Sequence, residues 1–265
     1  MPHISIGAEQ LHYLRMGTGS DVLLAFHGYG EHAGTFSVFE EHLGHRYTIL
    51  SFDLPYHGGT AWRGKEHLTA DDLVILVANV MVQFGVDKIS LMGYSIGGRV
   101  CLSAMAAAPQ HIHRVLLMAT DGLTVNPFYR FFTRVPAGKY VFRRFLQAGE
   151  GSIRLTDLCR RLRLIPDAFH RLATQTLRSQ ESRLQLLHAW PCLSHLVQPP
   201  KVLRSVIATH KIPVFLYMGA SDRVLPPSLA QPFAKGMDTV QLYILEKGHR
   251  IFDTGNAAHI AASLL

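Results

Sequence analysis

The chain has 265 residues, of which 48% are hydrophobic, and its formal net charge is +7. This length suits one α/β domain of ordinary size with room for an insertion, and the apolar content is enough for a substantial core. No apolar run reaches the roughly 18 residues that a membrane-spanning helix needs, and the first residues lack the basic-then-apolar order of a secretory signal. We therefore expect a cytoplasmic protein.

Short apolar strands alternate with helical stretches along most of the chain. The first two, His3–Ile6 and Leu11–Arg15, flank a turn and predict a hairpin. The later strands are continuous apolar runs, which is typical of a parallel sheet covered by helices on both faces. They are predicted at Val22–Phe26, Tyr47–Phe52, Ile89–Met92, Val115–Met118, Val214–Met218 and Val240–Leu245. Helices are predicted near Thr35–Leu43, Ala70–Phe84, Gly97–Ala108, Pro227–Lys235 and Gly255–Leu264.

The alternation of strands and helices stops after Thr120. From there to about Lys211, leucines and arginines recur at helical spacing. Residues 124–206 carry fourteen Lys/Arg against four Asp/Glu, whereas the rest of the chain is slightly acidic. This asymmetry predicts a separate helical unit at 124–206 and a core formed by 1–123 and 207–265. Its prolines are expected to separate the helices: Pro136, Pro166, Pro191, Pro199 and Pro200.

The segment Gly93-Tyr94-Ser95-Ile96-Gly97 has the pattern G-x-S-x-G. It follows the apolar run Ile89–Met92 and opens a helical stretch, which is the strand–turn–helix setting of a nucleophile elbow. Glycines on either side of the serine relieve the crowding of so sharp a turn. Ser95 is therefore the predicted nucleophile. The backbone N–H of Ile96, at the helix N-terminus, is predicted to be one donor of an oxyanion hole.

Further landmarks follow predicted strands along the chain. They are His27-Gly28-Tyr29-Gly30, Phe52-Asp53-Leu54-Pro55-Tyr56-His57-Gly58, Gly219-Ala220-Ser221-Asp222 and Gly248-His249. In kind and order, these landmarks and the elbow resemble the α/β-hydrolase superfamily, specifically its capped, esterase-like branch. The resemblance covers the chain except its middle segment. It implies a mostly parallel eight-stranded sheet sandwiched by helices, with a helical cap at 124–206 inserted after the sixth strand and lying over the nucleophile.

The same resemblance assigns the remaining catalytic roles. His249, after the last strand, is the expected base, and Asp222, after the preceding strand, is expected to orient it. Asp121, which follows the sixth strand, is the rival for the acid. The backbone N–H of Tyr29 is the expected second donor of the oxyanion hole.

Two residues of the elbow are predicted to contact the substrate. These are Tyr94 and Arg99, and Arg99 lies one helical turn after Ser95. The segment Gly-Tyr-Ser-Ile-Gly-Gly-Arg resembles the elbow of a menaquinone-pathway enzyme of this fold, in which the matching arginine binds a carboxylate. The alternative for Arg99 is a structural or solvated arginine. Asp53 and the side chain of His27 are interpreted as structural.

We expect a serine hydrolase that cleaves a small carboxylic ester or related acyl bond through an acyl-enzyme, without a metal or organic cofactor. Two alternatives stay open: a lyase or carbon–carbon hydrolase of the same fold acting on a carboxylate, and a non-catalytic ligand receptor. The basic middle segment is expected to bias the substrate toward anionic molecules. Its aromatic residues, interleaved with cations such as Arg143 and Arg144, favour a cap core over an acyl tunnel or a membrane contact. No nucleic-acid partner is expected.

Overall fold

The computed structural model describes residues 2–124, 126–165 and 167–265, without the side chains of Ala168, Phe169 and Leu172. Pro166, predicted to separate two helices, lies outside the described residues. Within them, eight strands form one sheet in the order β1-β2-β4-β3-β5-β6-β7-β8. The strands are β1 His3–Ile6, β2 Glu9–Met16, β3 Asp21–Phe26, β4 Tyr47–Phe52, β5 Ile89–Tyr94, β6 Ile112–Met118, β7 Val214–Gly219 and β8 Val240–Leu245.

The sheet is antiparallel at one end and parallel over the rest. β2 runs antiparallel to β1 and β4, and β3 to β8 pair in parallel. Every residue of β4 and β5 is buried, because helices cover both faces of these strands. This arrangement confirms the predicted mostly parallel eight-stranded sheet. It also brings the carboxyl ends of β3 to β8 to one edge, where ligands bind in open α/β sheets.

The α-helices have the following bounds: α1 Glu40–Leu43, α2 Ala70–Phe84, α3 Ile96–Ala107, α4 Pro127–Arg134, α5 Pro136–Gln147, α6 Glu150–Arg161, α7 Asp167–Arg178, α8 Gln180–Cys192, α9 Pro200–His210, α10 Gln231–Ala234 and α11 Ala257–Ala261. Short 3₁₀ helices cover Ala33–Phe39, Pro109–His111, Ser194–Leu196, Pro227–Leu229 and Ala262–Leu264. The bounds of α2 agree with the predicted helix. They are set by a capping box between Thr69 and Asp72 and by the left-handed Gly85.

The predicted helix at Thr35–Leu43 is instead mostly a 3₁₀ helix, Ala33–Phe39. Its buried residues are Ala33, Phe36 and Phe39, spaced by three. A 3₁₀ helix has three residues per turn, so this spacing puts all three side chains on one face. Phe36 and Phe39 then both pack against Phe252, with ring centroids 5.9 and 5.4 Å away. Burial of these rings decides the helix type.

The contacts divide the chain into two compact units, Met1–Val125 with Leu196–Leu265, and Asn126–His195. The first contains the sheet, and the second contains α4 to α8. The second unit ends earlier than the expected 206, because α9 belongs to the first unit. In α9, Leu203 and Ile207 are buried, and the Arg204 guanidinium donates to the carbonyls of Phe233 and, at 2.9 Å, of Lys235.

The prolines of the middle segment have different outcomes. Pro136 opens α5, and Pro199 precedes α9, which begins at Pro200. Pro191 does not separate two helices, because it lies inside α8, one residue before its end. A proline this close to a helix C-terminus leaves the earlier turns intact, although it removes one backbone hydrogen bond.

Candidate active site

Ser95 lies at the tight turn between β5 and α3. Its φ of 52° and ψ of −118° are unusual for a residue with a side chain. The turn is packed so closely that a Cβ at Gly97 would lie 1.9 Å from the carbonyl oxygen of Phe26. A Cβ at Gly98 would lie 1.8 Å from the Thr120 hydroxyl oxygen. Only glycine fits at both positions. This close packing of α3 against the sheet holds the turn in place, with Ser95 in a strained conformation and partly exposed.

Three side chains from three loops meet at this turn. The Nε2 atom of His249 lies 3.0 Å from the Ser95 hydroxyl oxygen. On the other side of the ring, Nδ1 lies 2.7 Å from the Asp222 carboxylate. If Nδ1 carries the proton that it donates to Asp222, Nε2 is left to accept the Ser95 proton. The three groups form one continuous hydrogen-bonded chain from the carboxylate to the hydroxyl.

Asp222 is held as an anion despite its burial. Burial by itself raises the pKa of this carboxyl, but hydrogen bonds from His249 and the backbone N–H groups of Leu225 and Val224 outweigh burial and lower the pKa. The two N–H donors lie 3.0 and 2.8 Å from one carboxylate oxygen. The other oxygen is left to accept from His249. The carboxylate is therefore both charged and fixed in orientation.

Asp121, the rival for the acid, is engaged elsewhere. Its carboxylate forms an ion pair with Arg99 and accepts the Gly122 backbone N–H at 2.6 Å. The structure thus brings Asp222 to His249 and pairs Asp121 with Arg99. The same ion pair occupies the guanidinium of Arg99, which was predicted to contact the substrate and is only 3% exposed. Arg99 connects the elbow helix to the loop after β6.

Tyr94, the other predicted substrate contact, packs against the histidine loop. It is buried, and its hydroxyl donates to the backbone carbonyl of His249 at 3.3 Å. Its ring lies 5.4 Å from the His249 ring and meets Phe252 edge-on at 5.1 Å. These contacts support the position of the imidazole.

The loop after β3 passes close to the serine. A Cβ at Gly28 would lie 2.9 Å from the Tyr94 ring and 3.5 Å from the Cβ of Ser95. The Gly28 carbonyl accepts hydrogen bonds from the His27 ring, at 2.7 Å, and from the Glu31 backbone N–H, at 3.2 Å. Because C=O and N–H point in opposite directions in a trans peptide, the Tyr29 N–H faces away from these donors.

The second predicted backbone donor lies on the helix itself. Ile96 is the first residue of α3, so its N–H has no carbonyl one turn earlier in the helix to accept it. The N-terminus of α3 also carries the positive end of the helix dipole. Residues with these features suit an oxyanion hole.

Comparison with known proteins agrees with this architecture. The family model described as alpha/beta hydrolase fold matches residues 21–261. The chain belongs to the α/β-hydrolase fold family. That confirms the resemblance to the α/β-hydrolase superfamily seen in the sequence, and it accounts for the landmarks that follow the strands of this fold.

Individual relatives of this α/β-hydrolase are distant. It is 24% identical over 257 residues to the dihydrolipoyllysine-residue acetyltransferase component of an acetoin cleaving system from Pseudomonas putida, covering 93% of this chain but only 63% of the relative. It is 27% identical over 229 residues to the pimeloyl-[acyl-carrier protein] methyl ester esterase of Methylococcus capsulatus, covering 83% of each chain. A solved structure, the α/β-hydrolase MGS-M2 from a Medee basin deep-sea metagenome library, superposes with a TM-score of 0.72 at 14% identity, covering 99% of this chain and 97% of the other. This last likeness is one of fold.

Two neutral histidines of this α/β-hydrolase support the loop after β3. The Nε2 atom of His27 accepts the Leu54 backbone N–H at 3.0 Å, and the Nε2 atom of His57 accepts that of Gly30 at 3.2 Å. Burial and the neighbouring His57 lower the pKa of His27 to about 3. Burial likewise lowers the pKa of His57. Each ring can therefore remain an acceptor at neutral pH.

Asp53 has the structural position predicted for it. Its carboxylate accepts the His12 ring at 2.6 Å and the backbone N–H groups of Ala33 and Gly59 at 2.6 and 2.8 Å. These bonds join β2 to the loops after β3 and β4. The sequence analysis did not predict that His57 accepts the Gly30 backbone N–H. Its position in the loop that contains Asp53 was the only sequence feature that pointed to it.

A second missed contact joins two loops of the site. Arg250 forms an ion pair with Glu31, and its guanidinium lies over the Phe252 ring, 4.4 Å from the centroid. Arg250 follows the histidine and Glu31 follows the Gly28–Gly30 loop, but 219 residues separate them in sequence. Proximity to the landmarks marked both residues, yet nothing in the sequence pairs them.

Proposed function

We propose that this α/β-hydrolase cleaves a carboxylic ester, or a closely related acyl bond, of a small molecule through an acyl-enzyme. Ser95 is the proposed nucleophile, His249 the base and Asp222 the acid. The observation that carries the proposal is the continuous chain from Ser95 to His249, at 3.0 Å, and on to Asp222, at 2.7 Å. A serine hydroxyl needs such an adjacent base to become a nucleophile.

In the proposed first half-reaction, the Ser95 oxygen attacks the carbonyl carbon while its proton passes to Nε2 of His249. Asp222 stays ionised and stabilises the imidazolium that forms. The negative charge on the carbonyl oxygen is accepted by the backbone N–H groups of Ile96 and Tyr29. His249 then gives its proton to the leaving alkoxide oxygen, which departs as the alcohol and leaves an ester on Ser95.

In the second half-reaction, water takes the place of the alcohol. His249 accepts a proton from the water, whose oxygen attacks the Ser95 ester. Collapse of the second tetrahedral species releases the carboxylic acid and returns the proton to the Ser95 oxygen. The enzyme ends in its starting state, so no oxidant, reductant or cofactor is consumed.

The relatives support acyl chemistry for this chain, but they do not identify its substrate. One is a methyl ester esterase and another is an acetyltransferase component, so both are named for acyl groups. The carbon–carbon hydrolase or lyase alternative rested on Arg99 as a carboxylate ligand. Because Arg99 is buried and paired with Asp121, it gives less support to carbon–carbon bond cleavage or a lyase reaction, and ester hydrolysis is the preferred proposal.

The experiment is covalent labelling by a fluorophosphonate combined with hydrolysis of p-nitrophenyl esters of increasing chain length. Wild type should be labelled, and Ser95→Ala should lose labelling and about 10⁴- to 10⁶-fold in kcat. Ser37→Ala, at an exposed serine outside the site, is the matched control and should behave as wild type. Residual activity of the Ser95 variant within tenfold of wild type would reject the assignment, and an unlabelled, inactive wild type would favour the ligand receptor.

A further inference from the structure

The second unit turns apolar side chains outward. More than half of the large apolar side chains that are exposed among the described residues lie in Asn126–His195, which holds about a quarter of the chain. In α6 the pattern is inverted relative to an ordinary surface helix. Leu155 and Leu158, with Leu162 just after the helix, are 51%, 50% and 60% exposed at spacing i, i+3, i+7.

The buried face of α6, next to the leucine stripe, holds small polar residues instead of leucines. Ser152 and Thr156 are buried, and their hydroxyls donate to the carbonyls of Phe145 and, at 2.7 Å, of Ser152. Their polar groups are thus satisfied inside the unit, so the burial costs little. The leucine stripe, at least half exposed, gains only part of the free energy that burial in a core would give.

A second helix, α4, also exposes a stripe of large apolar residues, although it buries the large Tyr129 as well. In α4, Thr133 is buried, and its hydroxyl donates to the Tyr129 carbonyl at 2.7 Å. Phe128 and Phe131, with Val135 just after the helix, are exposed at the same i, i+3, i+7 spacing, Phe128 by 74%. Two outward stripes of large apolar residues on one unit indicate a surface that something covers.

Cations flank both stripes. In α6, Arg154 and Arg161 are exposed beside the leucines, and Arg130 is exposed in α4. The unit has twelve Lys/Arg against four Asp/Glu, and two of those carboxylates already pair with Arg154 and Arg160. The positive charge is therefore not neutralised within the unit. A second copy would bring a like charge to the same face, which disfavours self-association.

We propose that the apolar–basic stripes of α4 and α6, together called the apolar–basic face, bind the surface of a membrane that contains anionic lipids. Large apolar residues enter the boundary between headgroups and acyl chains while arginines contact the anionic headgroups. An acidic protein would satisfy the arginines but not the leucine stripe. In this proposal both helices lie along the membrane surface, because their exposed sides carry the apolar and basic residues. Among the described residues, none of the helices combines the length and the apolar character of a membrane span.

The test measures binding of the whole protein to vesicles of phosphatidylcholine alone and of equal parts phosphatidylcholine and phosphatidylglycerol. At low salt, wild type should bind the anionic vesicles at least about tenfold more tightly, and salt should weaken this binding. Leu155→Ser/Leu158→Ser and Arg154→Gln/Arg161→Gln should each weaken it about tenfold. Val82→Ser, at an exposed valine of α2, should bind as wild type.

Circular dichroism and fluorophosphonate labelling show that each variant is folded, and they test the proposed reaction separately from the membrane contact. Equal binding of wild type to both vesicles overturns the proposal. So does loss of binding in the arginine variant with full binding in the leucine variant, the result expected if the face recognises anions alone, as on an acidic protein. A wild-type dimer that the leucine substitutions convert to a monomer would assign the face to self-association and also overturn it.

Discussion

At the scale of single residues, two aspartate carboxylates at the carboxyl edge of the sheet have different hydrogen-bonding partners. Asp222 receives two backbone N–H groups on one oxygen and His249 on the other. Asp121 faces Arg99 and receives the Gly122 N–H. Both are aspartates that follow a strand, so only their partners distinguish the carboxylate that contacts His249 from the one that holds a helix.

Asp222→Asn should lower kcat by about 10⁴, because an amide that donates to Nδ1 favours the wrong tautomer of His249. Asp121→Asn should have a much smaller effect on kcat. Steady-state hydrolysis of one p-nitrophenyl ester by both variants makes the comparison. If Asp121→Asn is the more damaging, the acid comes from the loop after β6 and the assignment of Asp222 is wrong.

At the scale of elements, the elbow is a contact between β5, α3 and the strands beside them. Gly97 lies against the backbone of Phe26 at the end of β3. Backbone cannot move aside as a flexible side chain can, so this glycine controls how closely α3 approaches the sheet. By contrast, Gly248 has an open surrounding and no positive φ, although it precedes the catalytic histidine of our proposal.

Gly97→Ala should therefore reduce the free energy of unfolding by about 3 kcal/mol, the upper part of the range for overpacking. The reduction should appear although alanine favours a helix over glycine by about 1 kcal/mol. Gly248→Ala, the matched control, should change stability by no more than about 0.5 kcal/mol. Urea denaturation of the three proteins measures this. Equal stability of both variants would mean that the elbow has room for a methyl group.

At the scale of the molecule, buried histidines join loops from separate strands. His27 links the loop after β3 to that after β4 through Leu54, and His57 makes the reciprocal link to Gly30. Both act as acceptors of backbone N–H groups, so a proton on the accepting nitrogen would break the link. The loop that carries the proposed Tyr29 donor thus depends on two neutral imidazoles.

The lowered pKa of His27 predicts a loss of stability in mild acid. Between its unfolded pKa of about 6.5 and its folded pKa of about 3, only the unfolded chain binds the proton, so stability falls as pH falls. From pH 7 to 5, this single group should cost about 2 kcal/mol. Urea denaturation of His27→Asn should show a correspondingly flatter pH dependence than wild type.

The range above pH 5 avoids most titration of the carboxylates with lowered pKa values, Asp53 and Asp222 among them. His45→Asn, at an exposed histidine, is the control and should keep the wild-type slope. Parallel slopes for wild type and His27→Asn would show that His27 takes up its proton equally in the folded and unfolded chains.

The sequence by itself predicted the fold, and it singled out three residues that the structure brings within hydrogen-bonding distance of one another. Continuous apolar runs predicted the parallel strands, and the chemistry at their ends marked Ser95, Asp222 and His249. This works because parallel strands send their carboxyl ends to one edge, so residues that follow different strands become neighbours. The 3₁₀ helix at Ala33–Phe39 was missed, because burial of two phenylalanines against Phe252 decides it.

Only the tertiary structure decided which groups pair. Asp121 with Arg99, Glu31 with Arg250 and His57 with Gly30 join residues that are distant in sequence. The outward leucines of α6 were also hidden, since helical spacing predicts an apolar stripe but not whether it faces inward or outward. That direction depends on whether a neighbouring element covers the stripe, and local sequence carries no record of long-range contacts.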